Sequence, residues 1–116
     1  GFTEYGLGNF PILESNELAD KFNLKQGIIS SSDSLDYTEK DKEVFELNNA
    51  SVKEMEAAAI GWVCKIHNQK FTAIKAITDL VDGNHETKKE FLANFELSTK
   101  NLKEKIVELI NFLLKK

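Results

Sequence analysis

Hydrophobic and polar residues follow one another along this chain in the pattern of an α/β protein. Short apolar or mixed runs, bounded by polar or turn-forming residues, are typical of strands. They predict strands over residues 26–32, 50–54 and 71–78. The last of these runs is mostly apolar without strict alternation, as expected of a buried central strand.

Between and after these runs, apolar residues recur at helical spacing. Helices are predicted over residues 15–22, 56–67 and 87–116, and a further short helix is expected to begin at Thr38. Thr38 with Asp41 three residues later resembles a capping box, in which each residue binds a backbone N–H of the other. Gly61 lies inside the second helix at an expected cost of ~1 kcal/mol relative to Ala, which indicates a close packing contact there.

The faces of two helices can be predicted from the spacing of their apolar residues. In the helix over 56–67 one face carries Met55, Ala59, Val63 and Ile66. In the C-terminal region the periodic residues are Leu102, Ile106, Leu109, Ile110 and Leu113. Phe91 and Phe95 fit either a separate first helix or the same one, because Asn94 is only a weak break.

Strand, helix and strand in this order predict a βαβ unit, right-handed by default. Carboxylates stand where two of the predicted strands stop, at Glu54 and at Asp79. In open α/β sheets ligands bind at the carboxyl ends of the strands, so the pattern indicates one shared pocket.

Composition narrows the class of protein. The 116 residues are 41% hydrophobic and 29% charged, which fits one globular domain. A net charge of -4 without a basic face disfavours nucleic acid binding, and the absence of a long apolar run disfavours a membrane span. The expected partner is therefore a small molecule or another protein. The single Cys64 cannot form an internal disulfide, so we expect a cytoplasmic protein.

Metal binding is not predicted, because His67, His85 and Cys64 lack metal-ligand spacing. The first eight residues have three glycines and no initiator Met, and they are expected to form a loop entered from an upstream segment. This beginning indicates a fragment.

Each candidate site also has a purely structural explanation. Asp79 could cap a turn, and Glu54 and Glu56 could be a solvated pair. If the strand continues through them these glutamates point the same way, and if a helix begins between them they diverge. Residues 32–36 could be an ordinary Ser/Asp-rich turn.

The segments Val52–Ile60 and Phe71–Asp79 resemble the purine nucleoside phosphorylase and nucleosidase superfamily. They are most similar to its 5'-methylthioadenosine/S-adenosylhomocysteine nucleosidases, notably the plant-like branch. The resemblance implies part of a three-layer α/β/α fold with a central mixed sheet flanked by helices. It further implies that residues 1–116 are the C-terminal portion of a single domain whose N-terminal half is absent.

In such nucleosidases the aspartate matching Asp79 donates a proton to N7 of adenine. The resemblance assigns Thr78, where many relatives have Ser, to orienting that carboxyl or touching the base. Such an acid must stay protonated near neutral pH, which burial or a nearby negative charge can arrange. Lys75 stands where bacterial relatives have Arg, near the attacking water; a Lys keeps the charge but loses the bidentate fork.

Substrate contacts are implied for five further residues. Met55 would pack against the ribose, Glu56 would accept hydrogen bonds from its 2'- and 3'-hydroxyls, and Glu54 would take a supporting place. Leu35 would cover the adenine ring, and Asp36 would supply backbone contacts to its edge.

The implied activity is hydrolysis of the N-glycosidic bond of adenine nucleosides in methionine and purine salvage, releasing adenine. The implied substrates are 5'-methylthioadenosine and S-adenosylhomocysteine, and no cofactor is implied. The resemblance implies that the general base lies outside these residues. The alternatives are a purine nucleoside phosphorylase, in which phosphate attacks, and a non-catalytic purine-binding or dimerisation module. A homodimer is also expected, with the loop Gly6–Pro11 reaching the neighbour's pocket for the 5'-substituent.

Overall fold

The computed structural model describes residues 13–81 and 87–115, with only the backbone described at 87 and 88. Its elements, in chain order, are α1 (Asn16–Phe22), β1 (Ile28–Ser31), α2 (Glu39–Asn48), β2 (Ala50–Glu54), α3 (Ala57–Ile66) and α4 (Thr87–Leu113). Helices and strands alternate over the first five elements, which confirms the predicted α/β class.

The two strands lie side by side and run parallel, with α2 as the crossover between them. Ile28 is paired with Ala50 and Ser31 with Glu54, and one irregularity in register follows Ile28. Gly27, just before β1, passes so close to β2 that a Cβ there would lie 2.7 Å from the side chain of Ser51. The pairing brings the carboxyl ends of both strands to one edge.

The capping box predicted at the start of α2 is confirmed. The Thr38 hydroxyl accepts a hydrogen bond from the Asp41 N–H at 3.3 Å, and the Asp41 carboxylate accepts one from the Thr38 N–H at 2.8 Å. These bonds from Thr38 hold the pKa of Asp41 below its usual value. At the other end of α2, Asn49 takes a left-handed conformation with φ 51°, a common way to end a helix.

The strand predicted over 71–78 is wrong. Residue 71 forms an isolated bridge, in which its carbonyl accepts from the Leu13 N–H at 2.7 Å, and residues 72–80 have no regular structure. Further along, side chains of α4 bind the backbone: Ser98 donates to the Ile77 carbonyl and Asn94 to the Thr78 carbonyl. A strand requires a partner along its length, and the described residues supply one only at residue 71.

The C-terminal region is one continuous helix, so Phe91 and Phe95 belong to the same element, with ring centroids 5.5 Å apart. Asn94 does not break it, because its side chain bonds away from the helix backbone. Near its end, Phe112 packs edge-on against Phe22 of α1 at 5.7 Å between ring centroids. This contact joins the two ends of the described chain.

Burial in α3 agrees with the close packing contact predicted at Gly61. Ala57 and Gly61 are buried, whereas Met55, Val63 and Ile66 are 40%, 53% and 63% exposed. The reason is that α3 packs on β1 through its small residues, which allow the helix and strand to approach closely. The larger apolar side chains lie on the opposite face.

Among the described residues, none of the helices is long and apolar enough to cross a membrane.

Candidate functional site

Glu54 lies at the carboxyl end of β2 with its side chain only 8% exposed. Its carboxylate accepts a hydrogen bond from the Lys75 ammonium at 2.6 Å and another from the Ser31 hydroxyl at the end of β1. Three chain segments therefore meet at one carboxylate: the ends of β1 and β2 and the irregular segment that carries Lys75.

The same carboxylate binds the first turn of α3. It accepts from the backbone N–H groups of Glu56 at 3.0 Å and of Ala57 at 2.9 Å, while Ser31 Oγ accepts from the Ala58 N–H at 2.9 Å. The first N–H groups of a helix have no partner within the helix and favour a negative charge beside them. Glu54 and Ser31 together satisfy this need from the sheet edge.

The electrostatics follow from these contacts. Burial tends to raise the pKa of Glu54, but hydrogen bonds from Lys75, Ser31, Glu56 and Ala57 outweigh it and lower the pKa from 4.5 to about 2. For Lys75, burial tends to lower the pKa, and the contacts with Glu54 and Glu56 outweigh it and raise the pKa. At neutral pH this is a charged pair.

Glu56 differs from Glu54 in what remains available to a ligand. It precedes the first residue of α3, its side chain is 67% exposed, and its carboxylate lies 3.5 Å from the Lys75 ammonium. Glu54 accepts at least four hydrogen bonds from the protein, whereas Glu56 keeps most of its lone pairs facing solvent. Of the two predicted glutamates, Glu56 is the one that can accept from two neighbouring hydroxyls.

Asp79 and Thr78 are half-buried and lie next to α4. The Thr78 hydroxyl donates to the Asp79 carboxylate, and the Thr78 carbonyl accepts from the Asn94 side chain at 2.8 Å. The buried Ser98 hydroxyl donates to the Ile77 carbonyl at 3.1 Å. The backbone leading into Asp79 is thus fastened to α4.

A cleft of about 310 Å³ lies between residues 77–80 and α4, with Asp79 and Glu90 among its lining residues. One carboxylate oxygen of Glu90 is buried without a hydrogen-bond partner. The volume is at the lower end for small-molecule pockets. Glu54, Glu56 and Lys75 do not line this cleft, so they form a separate part of the candidate site.

The segment of Leu35 and Asp36 forms a third part. Leu35 is 83% exposed, the Asp36 N–H donates to Ser34 Oγ at 3.0 Å, and the Asp36 carbonyl accepts from the Lys53 ammonium. Ser32 Oγ also donates to the Ser34 carbonyl at 3.0 Å. The turn is held by its own serines and attached to β2 through Lys53.

Sequence reasoning did not single out three residues that hold this arrangement, namely Ser31, Asn94 and Ser98. Ser31 carries a usable signal, since a hydroxyl at the carboxyl end of β1 faces the same edge as the end of its parallel neighbour. Asn94 and Ser98 carry none, because a polar residue on a long helix is ordinarily solvated. In the part of the chain that is described, no three His, Cys, Asp or Glu side chains are grouped to hold a metal.

A parallel strand pair that ends in Ser31 and Glu54 beside a helix start places the chain in the class of α/β proteins that bind ligands at a sheet edge. Residues 12–111 match the model of the phosphorylase superfamily, and the chain belongs to that superfamily.

Similar proteins of known kind are nucleosidases. The chain is 38% identical over 109 residues to the 5'-methylthioadenosine/S-adenosylhomocysteine nucleosidase of Arabidopsis thaliana, which covers 94% of this chain and 43% of the relative. It is 37% identical over 112 residues to the 5'-methylthioadenosine nucleosidase of the same plant, covering 97% of this chain and 42% of the relative. With the Thermotoga maritima 5'-methylthioadenosine/S-adenosylhomocysteine nucleosidase it shares 34% identity over 102 residues, 80% of this chain and 46% of that protein.

Solved structures agree with the sequence comparisons. The apo form of Arabidopsis thaliana 5'-methylthioadenosine nucleosidase superposes with a TM-score of 0.90 at 37% identity, covering 96% of this chain and 46% of that one. An MTA/SAH nucleosidase superposes with a TM-score of 0.86 at 38% identity, covering 90% and 43%. The chain therefore spans less than half the length of the relatives it matches, and the resemblance to this nucleosidase group is confirmed.

Proposed function

We propose that the protein containing these residues hydrolyses the N-glycosidic bond of 5'-methylthioadenosine or S-adenosylhomocysteine and releases adenine. The observation that carries this proposal is the Glu56–Lys75–Glu54 cluster at a sheet edge, in a chain with a TM-score of 0.90 to a 5'-methylthioadenosine nucleosidase. The phosphorylase and non-catalytic alternatives are less favoured, because the similar proteins named above are nucleosidases.

In the proposed reaction Asp79 donates a proton to N7 of adenine as the bond between C1' and the base breaks. The bonding electrons leave with the base, so adenine departs neutral, and water adds to C1' with its proton going to a base outside these residues. Thr78 orients the Asp79 carboxyl, as its hydrogen bond to that group supports.

Glu56 would accept hydrogen bonds from the two ribose hydroxyls, and its exposed carboxylate supports this role. Its negative charge would also stabilise an oxocarbenium-like transition state. Met55, 40% exposed beside it, would pack on the ribose. Lys75 would stand near the attacking water, with its ammonium between the two glutamates.

The exposed Leu35 would cover the adenine ring, and the backbone of Asp36 would form hydrogen bonds to the edge of that ring. In the structure that backbone bonds to Ser34 and Lys53, so binding adenine there requires these bonds to be shared or exchanged.

Residues 1–116 would form the C-terminal portion of a single nucleosidase domain that acts as a cytoplasmic homodimer, without nucleic acid or membrane partners. The proposed loop Gly6–Pro11 at the neighbour's pocket lies outside the described residues. Light scattering of the intact protein tests the dimer, and a fully active monomer at micromolar concentration would contradict it.

The activity is tested by incubating the full-length protein with each nucleoside, with and without phosphate. We expect free adenine and a free 5'-substituted ribose at the same rate in both conditions. Formation of a ribose 1-phosphate product that depends on phosphate would replace hydrolysis by phosphorolysis. Absence of turnover with tight adenine binding would favour the binding module.

A further inference from the structure

The carboxylate of Glu54 makes so many hydrogen bonds to the protein that it has little capacity left to bind a substrate. Its side chain is 8% exposed, and it accepts from the Lys75 ammonium, the Ser31 hydroxyl and the N–H groups of Glu56 and Ala57. A carboxylate offers about four lone-pair sites, so these partners leave little capacity for a ribose hydroxyl.

We propose that Glu54 is a positioning residue that sets the place of the Lys75 ammonium and of the first turn of α3, and acts on the substrate only through Lys75 and Glu56. This inference rests on the proposed function. It replaces the supporting substrate contact expected for Glu54 from the resemblance.

The geometry gives the reason that Glu54 can do this. Lys75 lies on a segment without regular structure, so its ammonium is placed by the side chains that it contacts. The carboxylate at the end of β2 does so instead, at 2.6 Å, and it also caps the helix that carries Glu56 at its start. One group thus fixes the spacing between the cation and the carboxylate proposed to bind ribose.

The charges support the same assignment. With its pKa lowered to about 2, Glu54 stays ionised at any pH at which the enzyme would work, and Lys75 stays protonated beside it. A group held in one charge state is suited to positioning rather than to proton transfer, which requires a pKa near the working pH.

The test is a double-mutant cycle in the full-length protein, using Glu54→Gln, Lys75→Met and both together, with kcat/KM measured for 5'-methylthioadenosine. We expect each single variant to lose roughly 10- to 100-fold, since displacement of a catalytic group by about 1 Å has effects of that order. Because Glu54 acts in part through Lys75 and in part through the start of α3, the double variant should lose clearly less than the product of the two single losses. Losses that multiply would overturn the inference.

A conservative substitution of Lys75 adds a measurement that a change in fold stability alone would not alter. Arg keeps a cation that can pair with Glu54, so Lys75→Arg should retain most activity in the native background and lose it when combined with Glu54→Gln. Equal tolerance of Arg in both backgrounds would contradict positioning by Glu54.

Two controls separate the possible failures. Glu43→Gln changes an exposed glutamate on α2 and should leave kcat/KM unchanged. If Glu54→Gln fails to fold, Glu54→Asp retains a carboxylate but shortens its reach; we expect the same loss, and full activity would overturn the inference. An inactive native protein would instead refute the proposed function.

Discussion

Glu54 and Glu56 stand two residues apart, yet one is 8% and the other 67% exposed in its side chain. The difference arises because β2 ends at Glu54 and α3 begins at Ala57, so the chain turns between the two carboxylates. The sequence pattern left open whether the glutamates point the same way. A local change from strand to helix gives them separate tasks: Glu54 binds the protein and Glu56 faces solvent.

At the residue scale, the proposed acid can be tested directly. Asp79→Asn keeps the size of the side chain but cannot donate a proton to N7 in the same way, so turnover of the full-length protein should fall ~10²–10⁴-fold. The measurement is kcat for adenine release. Asp20→Asn, an exposed aspartate on α1, is the matched control and should keep native turnover. Undiminished turnover in Asp79→Asn would remove Asp79 from the mechanism.

The lowered pKa of Glu54 also predicts how the stability of the fold depends on pH. Its pKa is about 2 in the folded protein and 4.5 ordinarily, so the ionised carboxylate stabilises the fold above pH 4.5. That contribution is lost as the pH falls from 4.5 towards 2. Urea unfolding at a series of pH values should therefore show the native protein losing its advantage over Glu54→Gln in this window.

The comparison of Glu54→Gln with Glu43→Gln provides the baseline, because the second variant replaces the same side chain away from Lys75. A free-energy difference between native protein and Glu54→Gln that stays constant from pH 6 to pH 2.5 would show that the carboxylate is not stabilised by these contacts.

At the scale of elements, α4 holds the segment that leads to Asp79. Asn94→Ala and Ser98→Ala each leave a backbone carbonyl of that segment without its partner, at a cost of about 1–3 kcal/mol where no water replaces it. Because the loosened backbone carries Asp79, we also expect a lower kcat. Urea unfolding and kcat of the full-length variants measure the two effects.

Asn111→Ala is the control for this experiment, since it makes the same exchange at an exposed position of α4. Ala is the better helix former, so Asn111→Ala should be neutral or slightly stabilising. If Asn94→Ala behaves like Asn111→Ala in both stability and kcat, the hydrogen bond to the Thr78 carbonyl has no part in holding Asp79.

Elements set by local chemistry could be predicted from the sequence. The capping box of Thr38 and Asp41 lies within four residues and fixes the start of α2 wherever the helix packs. The segment 71–78 has the composition of a strand, but a strand also needs a neighbour along its length. Its carbonyls at 77 and 78 instead accept from α4 side chains 21 and 16 residues away in sequence. Tertiary contacts, which the sequence pattern does not show, decide whether these carbonyls bind a neighbouring strand or side chains of α4.

The face of α3 that packs on β1 was not predicted from the sequence, for a related reason. Apolar spacing identifies a hydrophobic stripe, but close packing on β1 selects the small residues Ala57 and Gly61. In the candidate site, two features identified the acidic residues: the predicted strand end at Glu54 and the resemblance around Asp79. Ser31 could have been identified from its place at the end of β1, but Asn94 and Ser98 could not, because hydrogen-bond partners distant in sequence leave no periodic signal.

At the scale of the whole molecule, the chain exposes far more surface than its mass requires. Its accessible surface is 9613 Å², whereas a compact monomer of 13.1 kDa has roughly 6,400 Å². The radius of gyration is 15.4 Å, against about 13 Å for a compact domain of this length. Of the described residues, Ala19 and Ala57 are the buried hydrophobic ones, and Leu35, Leu47 and Leu114 are at least 80% exposed. This exposed surface supports the proposal that residues 1–116 are one portion of a larger domain.

The final prediction concerns residues 1–116 expressed alone. They should aggregate or bind the remaining part of the full-length protein, and alone they should not release adenine. In the described residues, a two-stranded parallel sheet with exposed apolar side chains lacks the burial that stabilises a domain. The chemistry points the same way, since Asp79 can protonate the leaving base but the proposed mechanism takes its water-activating base from elsewhere. Hydrogen exchange would establish whether the separate piece folds, and an adenine-release assay would measure its activity beside the full-length protein. Adding the remaining part of the full-length protein should restore protection and turnover together. Turnover by residues 1–116 alone at the full-length rate would show that the general base lies within them, and the division of roles proposed for Asp79, Lys75 and Glu56 would have to be redrawn.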